Sequence, residues 1–548
     1  MKTNKLVVHL ISVFVCIFPF ITLLHIEKLT GIDYYVYPSQ NGYIADYFLY
    51  YKEVFLILFS LVLICFLIYD LLFNENTKLK TKQFVSVLPF IIIYIILIVL
   101  SSINSSNKNV VLMGSYTEYE GVLALISYII LMISSYNFID DYNNYIFKRA
   151  IIILSFIIGL LSIIEFFYKP LLMIDFINSK LRLNELIIMD SKVALTFYNS
   201  NYLGGICSLL LPSNIILYLK NEGVKKYLYF SSSCLIYFSL IVSGSNASIY
   251  SSIIIFSILV LSNLKKIKQY FFKVLIIASI FIILPIILLF NNKFRSQINK
   301  HFKKNTVNNS FNIDNISTTD EKIILTSTDK FIEFEKNNGD IVINYNDEKL
   351  LINEKNKDYN LNNYIFNYDG EILTCELGYQ NALYLYFKGK PGIIVNKKVI
   401  TNFKKYNNNL YPIYSFATGR GYIWINSIKI LKNTILIGKG PGNFIYNYDQ
   451  TDVVGLLKVH NNSNVIIDKP HNWYLQIIIS TGFISFICIS IIFIKIISKN
   501  IIQKNKNHFD YGILIGICTF LVVGVFNDSI ISVNPVFWIL IGYLLKNQ

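Results

Sequence analysis

Three short segments between residues 418 and 476 carry the residue types best suited to chemistry. The first, TGRGYIW from Thr418 to Trp424, holds Arg420, one of only four arginines in 548 residues. Trp424, Ile428 and Leu431 follow at spacings that suit a short amphipathic helix lying on a membrane. A guanidinium keeps its charge and makes paired contacts to phosphate oxygens, so Arg420 is a candidate diphosphate ligand. Taken alone, it reads more readily as an interfacial arginine reaching lipid headgroups. The second, GKGPGNF from Gly438 to Phe444, alternates Gly438, Gly440 and Gly442 around Lys439. Such spacing lets backbone N–H groups approach an anion, but it fits no dinucleotide or P-loop pattern, and taken alone a helix-stop turn is the readier explanation. The third, DKPHNWYLQ from Asp468 to Gln476, sets His471 directly before an apolar run. An imidazole there suits a general base, with Pro470 fixing the approach and Asn472 free to hydrogen-bond nearby; the alternative is an interfacial histidine without a role.

Other signatures are missing. The chain has no D-x-D, H-E-x-x-H, G-x-S-x-G or Walker motif. Six of seven cysteines fall in apolar runs, only Cys375 lies in a polar segment, and no Cys/His spacing suggests a metal, so neither metal nor cofactor is expected. Glu165, the main acidic residue within an apolar run, reads either as a proton or ion site or as an interfacial residue beside Lys169.

The elements that must position these residues are membrane helices. The composition is 54% hydrophobic and only 15% charged, which excludes an ordinary soluble enzyme. The net charge of +15 is spread over loops between apolar runs, which argues against a nucleic-acid partner. Twelve runs are expected to span, at about 6–24, 54–73, 84–103, 121–139, 150–167, 203–219, 227–243, 248–263, 272–290, 473–494, 512–526 and 530–545. Lysines crowd alternate connections, so the positive-inside bias places both termini in the cytoplasm and the long polar stretch outside. The first run follows MKTNK, yet no small-x-small cleavage site follows it, and it reads as a retained helix.

The expected fold is therefore an α-helical polytopic membrane protein with a small extracellular all-β insertion in the loop between helices 9 and 10. Residues 1–290 would hold helices 1–9, 291–470 the large loop, and 471–548 helices 10–12. Within the loop, period-two alternation in KIILTST, KFIEFEK, DIVINYN, NYIFNY, EILTCEL, ALYLYFK and KKVITNF predicts an antiparallel β module over about 320–403. Asn337-Asn338-Gly339, Asp369-Gly370 and Gly389-Lys390-Pro391-Gly392 supply its turns, and the loop motifs occupy 415–470.

Together, TGRGYIW, GKGPGNF and DKPHNWYLQIIISTGFIS resemble the O-antigen ligase family, which includes O-antigen polymerases and bacterial O-oligosaccharyltransferases; the likeness is greatest to its low-GC Gram-positive branch. GSYTEYEG (Gly114 to Gly121), TFYNSNYLGG (Thr196 to Gly205) and NDSIISVNPVFWILIG (Asn527 to Gly542) extend the likeness over most of the membrane domain, while the β module lies outside it. The resemblance implies transfer of a glycan from a polyisoprenyl diphosphate carrier to an acceptor glycan or glycoprotein hydroxyl, without a metal, at the outer face of the plasma membrane. Arg420 would hold the diphosphate and His471 would deprotonate or orient the acceptor. Asn472, Gly438, Lys439 and Gly440 would line the substrate. In one departure, SGSNAS places Asn246 where relatives carry a second arginine. Glu118 also stands where relatives often have a basic residue. The resemblance then leaves Arg182, Arg295 or Lys439 to supply the missing charge, unless the donor differs or the activity is lost.

Two other classes compete with this reading. A non-catalytic polysaccharide transporter or flippase would use Glu165 and tolerate loss of Arg420 and His471. A membrane-anchored wall-binding protein would place its function in the β module.

Overall fold

Long runs of Ile, Leu and Phe leave the backbone no partner but itself, and in the computed structural model eleven of the twelve apolar runs coincide largely with one helix each, while the run at 473–494 is shared between two. The structure describes residues 2–31, 33, 37, 42–74, 77–174, 192–262, 270–303, 315–319, 322–326, 331–337, 340–345, 348–349, 354–356, 363–368, 371–377, 383–387, 393–395, 410–432, 434–450, 452–460, 465–502 and 507–546. The chain divides into two units, one of Met1–Lys303, Ile430–Asn447 and His471–Gln548, the other of Lys304–Lys429 and Tyr448–Pro470. GKGPGNF thus belongs to the helical unit, although the sequence reading assigned it to the external loop.

The helical unit contains α1 (Lys2–Ile17), α2 (Tyr50–Phe73), α3 (Lys82–Ile103), α4 (Val122–Phe138), α5 (Asn144–Phe167), α6 (Ser200–Lys220), α7 (Lys225–Val242), α8 (Asn246–Ser262), α9 (Phe271–Leu288) and α10 (Asn292–Lys303). Seven described helices are long and apolar enough to cross a membrane: α1 with its short continuation to Phe20, then α2, α3, α5, α6, α9 and the later helix Phe483–Ile502. Polar side chains start several of them. The Asp46 carboxylate accepts the Leu49 and Tyr50 N–H groups at 2.8 and 2.9 Å at the head of α2, and Asn199 accepts from Asn201 at 2.9 Å before α6.

Helix α6 is the hub, buried along almost its whole length, whereas α9 is mostly exposed. Small residues bring its neighbours close. In the helix His508–Val523, a Cβ on Gly516 would lie 2.0 Å from the Leu209 carbonyl oxygen, and one on Gly512 would lie 2.5 Å from Ser213 Cα. Asn214 of α6 donates to Ser155 at 2.9 Å and accepts from Ser232 at 2.6 Å, tying α5, α6 and α7 together with polar contacts inside the bundle.

The run expected as one span at 473–494 is broken. Gly482, at φ 104°, separates a short helix Trp473–Thr481 from Phe483–Ile502, a backbone shape that glycine adopts without strain. An unforeseen hairpin, β1 (His25–Lys28) with β2 (Tyr43–Asp46), fills the first connection.

The second unit carries two five-stranded antiparallel meanders. The first is β3 (Asn315–Thr318), β4 (Lys322–Thr326), β5 (Phe331–Asn337), β6 (Asp340–Tyr345) and β7 (Glu348–Lys349). The second is β8 (Glu354–Asn356), β9 (Asn363–Tyr368), β10 (Glu371–Leu377), β11 (Leu383–Phe387) and β12 (Ile393–Val395). Alternation does what period two requires: Ile323, Leu325, Ile332, Phe334, Ile341 and Ile343 are all buried on one face. Asn337 pairs with Asp340 and Tyr368 with Glu371, so the chain reverses at the first two expected turns, whose tips lie outside the described residues. The third turn, at Gly389-Lys390-Pro391-Gly392, and the KKVITNF strand also lie outside them.

Candidate functional site

The third motif builds the most complete arrangement. Asn472 caps α13 (Val453–His460 being α12 and Phe416–Leu431 α11, so that Trp473–Thr481 is α13), accepting the Leu475 N–H at 3.0 Å. Trp473 N–H donates to the Gly524 carbonyl at 2.8 Å, fixing the head of α13 against the end of α15 (His508–Val523, after α14, Phe483–Ile502). His471, immediately before the cap, sits at φ 50°, a left-handed conformation uncommon for histidine. That geometry brings Nδ1 to 2.8 Å from Asp528 Oδ2, while Asp528 Oδ1 accepts the Asn472 N–H at 3.2 Å.

Asp528 is the residue the sequence reading missed. It lies in the connection between α15 and α16 (Asn534–Leu545), and its side chain is 1% exposed against 37% for His471. An ionised carboxylate only accepts, so Nδ1 must be the donor, and the neutral ring then carries its lone pair on Nε2. A buried acceptor therefore orients the ring, while the His471 side chain as a whole stays partly exposed. The signal was present in NDSIISV, an acid flanked by polar residues between two apolar runs, but nothing in the spacing paired it with His471.

A pocket lies beside this pair, lined by Asn201, Tyr202, Trp473, Asn527, Asp528 and Asn534. Its near wall is the first turn of α6, part of TFYNSNYLGG. The same turn approaches the start of α8, where a Cβ on Gly204 would meet the Ser245 side chain at 2.4 Å. Asn246 is exposed at the start of α8, and two residues before it the Gly244 carbonyl oxygen accepts from Lys192 Nζ at 3.5 Å. Lys192 was not singled out from sequence, because it precedes Thr196 in an unpatterned connection. Arg295 is exposed on α10, and Arg182 lies outside the described residues.

GKGPGNF takes a different role from the expected anion cradle. The Lys439 N–H donates to the Ile479 carbonyl at 2.7 Å and the Gly440 N–H to the Ser480 carbonyl at 2.9 Å. Both groups satisfy the C-terminal carbonyls of α13 and are not directed at an anion. Gly438 is required by contact, since a Cβ there would lie 2.2 Å from the Ser480 carbonyl oxygen. Only the partly exposed Lys439 side chain keeps the chemistry first assigned to the segment. Two further contacts hold the segment in place. Asn443 Oδ1 accepts the Asn107 N–H at 2.7 Å, and Tyr446 donates to Asp33 at 2.6 Å. Burial, with the Asp33 hydrogen bond, holds the Tyr446 phenol well above the usual tyrosine range, so it stays a donor.

Arg420 belongs to the second unit, on α11, where Ala417, Thr418 and Gly419 take consecutive positive φ values of 50°, 61° and 91° before the regular helix begins. Tyr422 and Ile423 are buried, the Tyr422 hydroxyl donates to Asp452 Oδ2 at 2.9 Å, and Ile428 is half exposed. His460, set aside on sequence, lies against this turn: a Cβ on Gly419 would stand 2.6 Å from His460 Cε1.

Glu165 accepts three backbone N–H groups, from Leu171 at 3.2 Å, Ala194 at 2.8 Å and Leu195 at 3.0 Å. These bonds make it a staple for the connection after α5 and weigh against the ion-site reading. Among the described residues, no group of three His, Cys, Asp or Glu side chains could hold a metal ion. Comparison with protein-family models, curated proteins and solved structures found no match to this chain.

Proposed function

We propose that the chain is a membrane glycosyltransferase of the O-antigen ligase type, moving a glycan from a polyisoprenyl diphosphate carrier to the hydroxyl of an acceptor glycan or glycoprotein. The observation that carries this reading is the His471–Asp528 pair at the head of α13. In the proposed step the acceptor O–H bond breaks and its proton passes to Nε2 of His471. The freed oxygen attacks the anomeric carbon from the face opposite the carrier, and the carbon–oxygen bond to the diphosphate breaks with its electron pair leaving on the polyisoprenyl diphosphate. The Asp528 carboxylate stabilises the imidazolium that forms, and the diphosphate is a good leaving group that needs cationic stabilisation more than a general acid.

Arg420 is assigned to the diphosphate by the motif likeness, and Lys192, bonded to the Gly244 carbonyl, is assigned to offset Asn246. The wider frame of the proposal is twelve spans in the plasma membrane, cytoplasmic termini and the β-containing loop outside. The transporter reading loses support because Glu165, the residue it would use, is engaged by three backbone N–H groups. The test is transfer in membrane vesicles loaded with native lipid-linked glycan, comparing the parent with His471→Ala and Arg420→Ala at matched expression. Accumulation of unspent lipid-linked donor in both variants is the expected result; equal product from all three would remove the assignment.

A further inference from the structure

Asp528 takes its position from backbone that has no regular structure of its own. Residues 528–530 lie between the end of α15 and the turn that opens α16, outside any helix or strand. A carboxylate that must sit 2.8 Å from one ring nitrogen therefore depends on what holds its neighbours in the chain. The next N–H, that of Ser529, is buried, and a buried N–H needs an acceptor. Gln476 supplies it, its Oε1 accepting the Ser529 N–H at 2.7 Å.

Gln476 stands on α13 one turn beyond Asn472, whose carbonyl accepts the Gln476 N–H at 2.9 Å, and its side chain is buried. The segment from His471 to Gln476 thus grips two consecutive residues: His471 and Asn472 hold the Asp528 carboxylate, and Gln476 holds the Ser529 N–H. Ser529 is braced from α16 as well, where Asn534 donates to Ser529 Oγ and, at 3.2 Å, to Glu120. Gln476 does not line the pocket beside the His471–Asp528 pair. It lines a second pocket together with Glu118, Glu120 and Ser529, and Trp473 is common to both.

We propose that Gln476 is a positioning residue, acting through Ser529 to keep the Asp528 carboxylate on Nδ1 of His471. Without its acceptor the Ser529 N–H would be buried and unpaired, and the cheapest relief is a shift of residues 528–529 away from α13. Asp528 moves with that backbone, the ring loses the acceptor that selects the Nδ1–H form, and both neutral tautomers become populated. The side chains lining the pocket beside the pair are unchanged, so turnover falls while substrate binding is kept. The kinetic part of this role rests on the proposed transfer; the effect on the imidazole does not.

The test compares the full chain in nanodiscs with Gln476→Met, which keeps the length and removes the acceptor, and Gln476→Glu, which keeps an acceptor oxygen. Nitrogen-15 NMR of histidine-labelled protein reads the tautomer of the neutral ring, with His471→Ala identifying the signals. Transfer from lipid-linked glycan gives kcat and KM separately, and hydrogen exchange follows the Ser529 amide. The parent is expected to show Nδ1–H at His471 and slow exchange at Ser529. Gln476→Met is expected to mix the tautomers and to lower kcat about 100-fold at nearly constant KM, while Gln476→Glu keeps the parental tautomer and most of kcat. A folded Gln476→Met with the parental tautomer and kcat would overturn the proposal. A rise in KM alone would do the same, because it would make Gln476 a substrate contact. Fast exchange of the Ser529 amide in the parent would overturn it whether or not the variants fold. If the parent transfers nothing, the glycosyltransferase reading fails, and the tautomer comparison still decides the role of Gln476.

Discussion

Asp528 Oδ2 lies 2.8 Å from Nδ1 of His471, and its other oxygen takes the N–H of the next residue, Asn472. One buried carboxylate thus sets both the ring and the start of the helix that carries it. If the pair works as a unit, Asp528→Asn and His471→Ala each lower transfer by about 10²–10⁴-fold, and the double variant is hardly worse than the more damaging single one. Initial rates in proteoliposomes at matched protein check this; multiplicative losses would show that the two residues act separately.

Glu165 predicts the opposite pattern. Removing its three N–H bonds through Glu165→Ala lowers stability by about 3 kcal/mol or more, since bonds to a charged acceptor are among the stronger ones. Transfer per folded molecule stays at the parental level. Detergent-solubilised melting curves alongside activity normalised to folded protein separate the two effects, and a selective loss of activity would return Glu165 to the site.

Gly438 and Gly223 make a matched pair of alanine substitutions. A Cβ at Gly438 would meet the Ser480 backbone, whereas Gly223, at φ 68°, faces open space. Gly223→Ala costs about 1 kcal/mol through backbone strain alone. Gly438→Ala costs at least about 2–3 kcal/mol, because the contact is with backbone that cannot turn away. Equal melting temperatures for the two variants would contradict the tight seating of GKGPGNF on α13.

Lys78 gives a pH dependence. Burial, helped by Lys546, pulls its ammonium down to about 8 from an ordinary 10.5, against the opposing pull of Asp140, Asp141 and Asp70. Between those two values the unfolded chain holds the proton and the folded chain does not, so this residue makes stability rise with pH across that window. Lys78→Met, measured by thermal unfolding between pH 7 and about 10.5, flattens that part of the profile; an unchanged slope would assign it to other groups.

The helices were legible because lipid demands continuous apolar runs, and the β sheets because alternation marks a half-buried face. His471 stood out because it begins such a run. Asp528, Lys192 and His460 did not, since each acquires its meaning from a partner on another element. GKGPGNF shows the converse: alternating glycines can make room for an anion or for a neighbouring backbone, and only the position of Ser480 decides between them. The break at Gly482 was hidden for a similar reason, being one glycine within an otherwise uninterrupted apolar run.

The most direct measurement of the central claim is single-turnover transfer from a purified lipid-linked glycan in proteoliposomes, with the anomeric configuration of the product determined and His471→Ala run beside the parent. The account predicts an inverted product from the parent and unspent donor with the folded variant. A retained configuration, or undiminished transfer by His471→Ala, would contradict it.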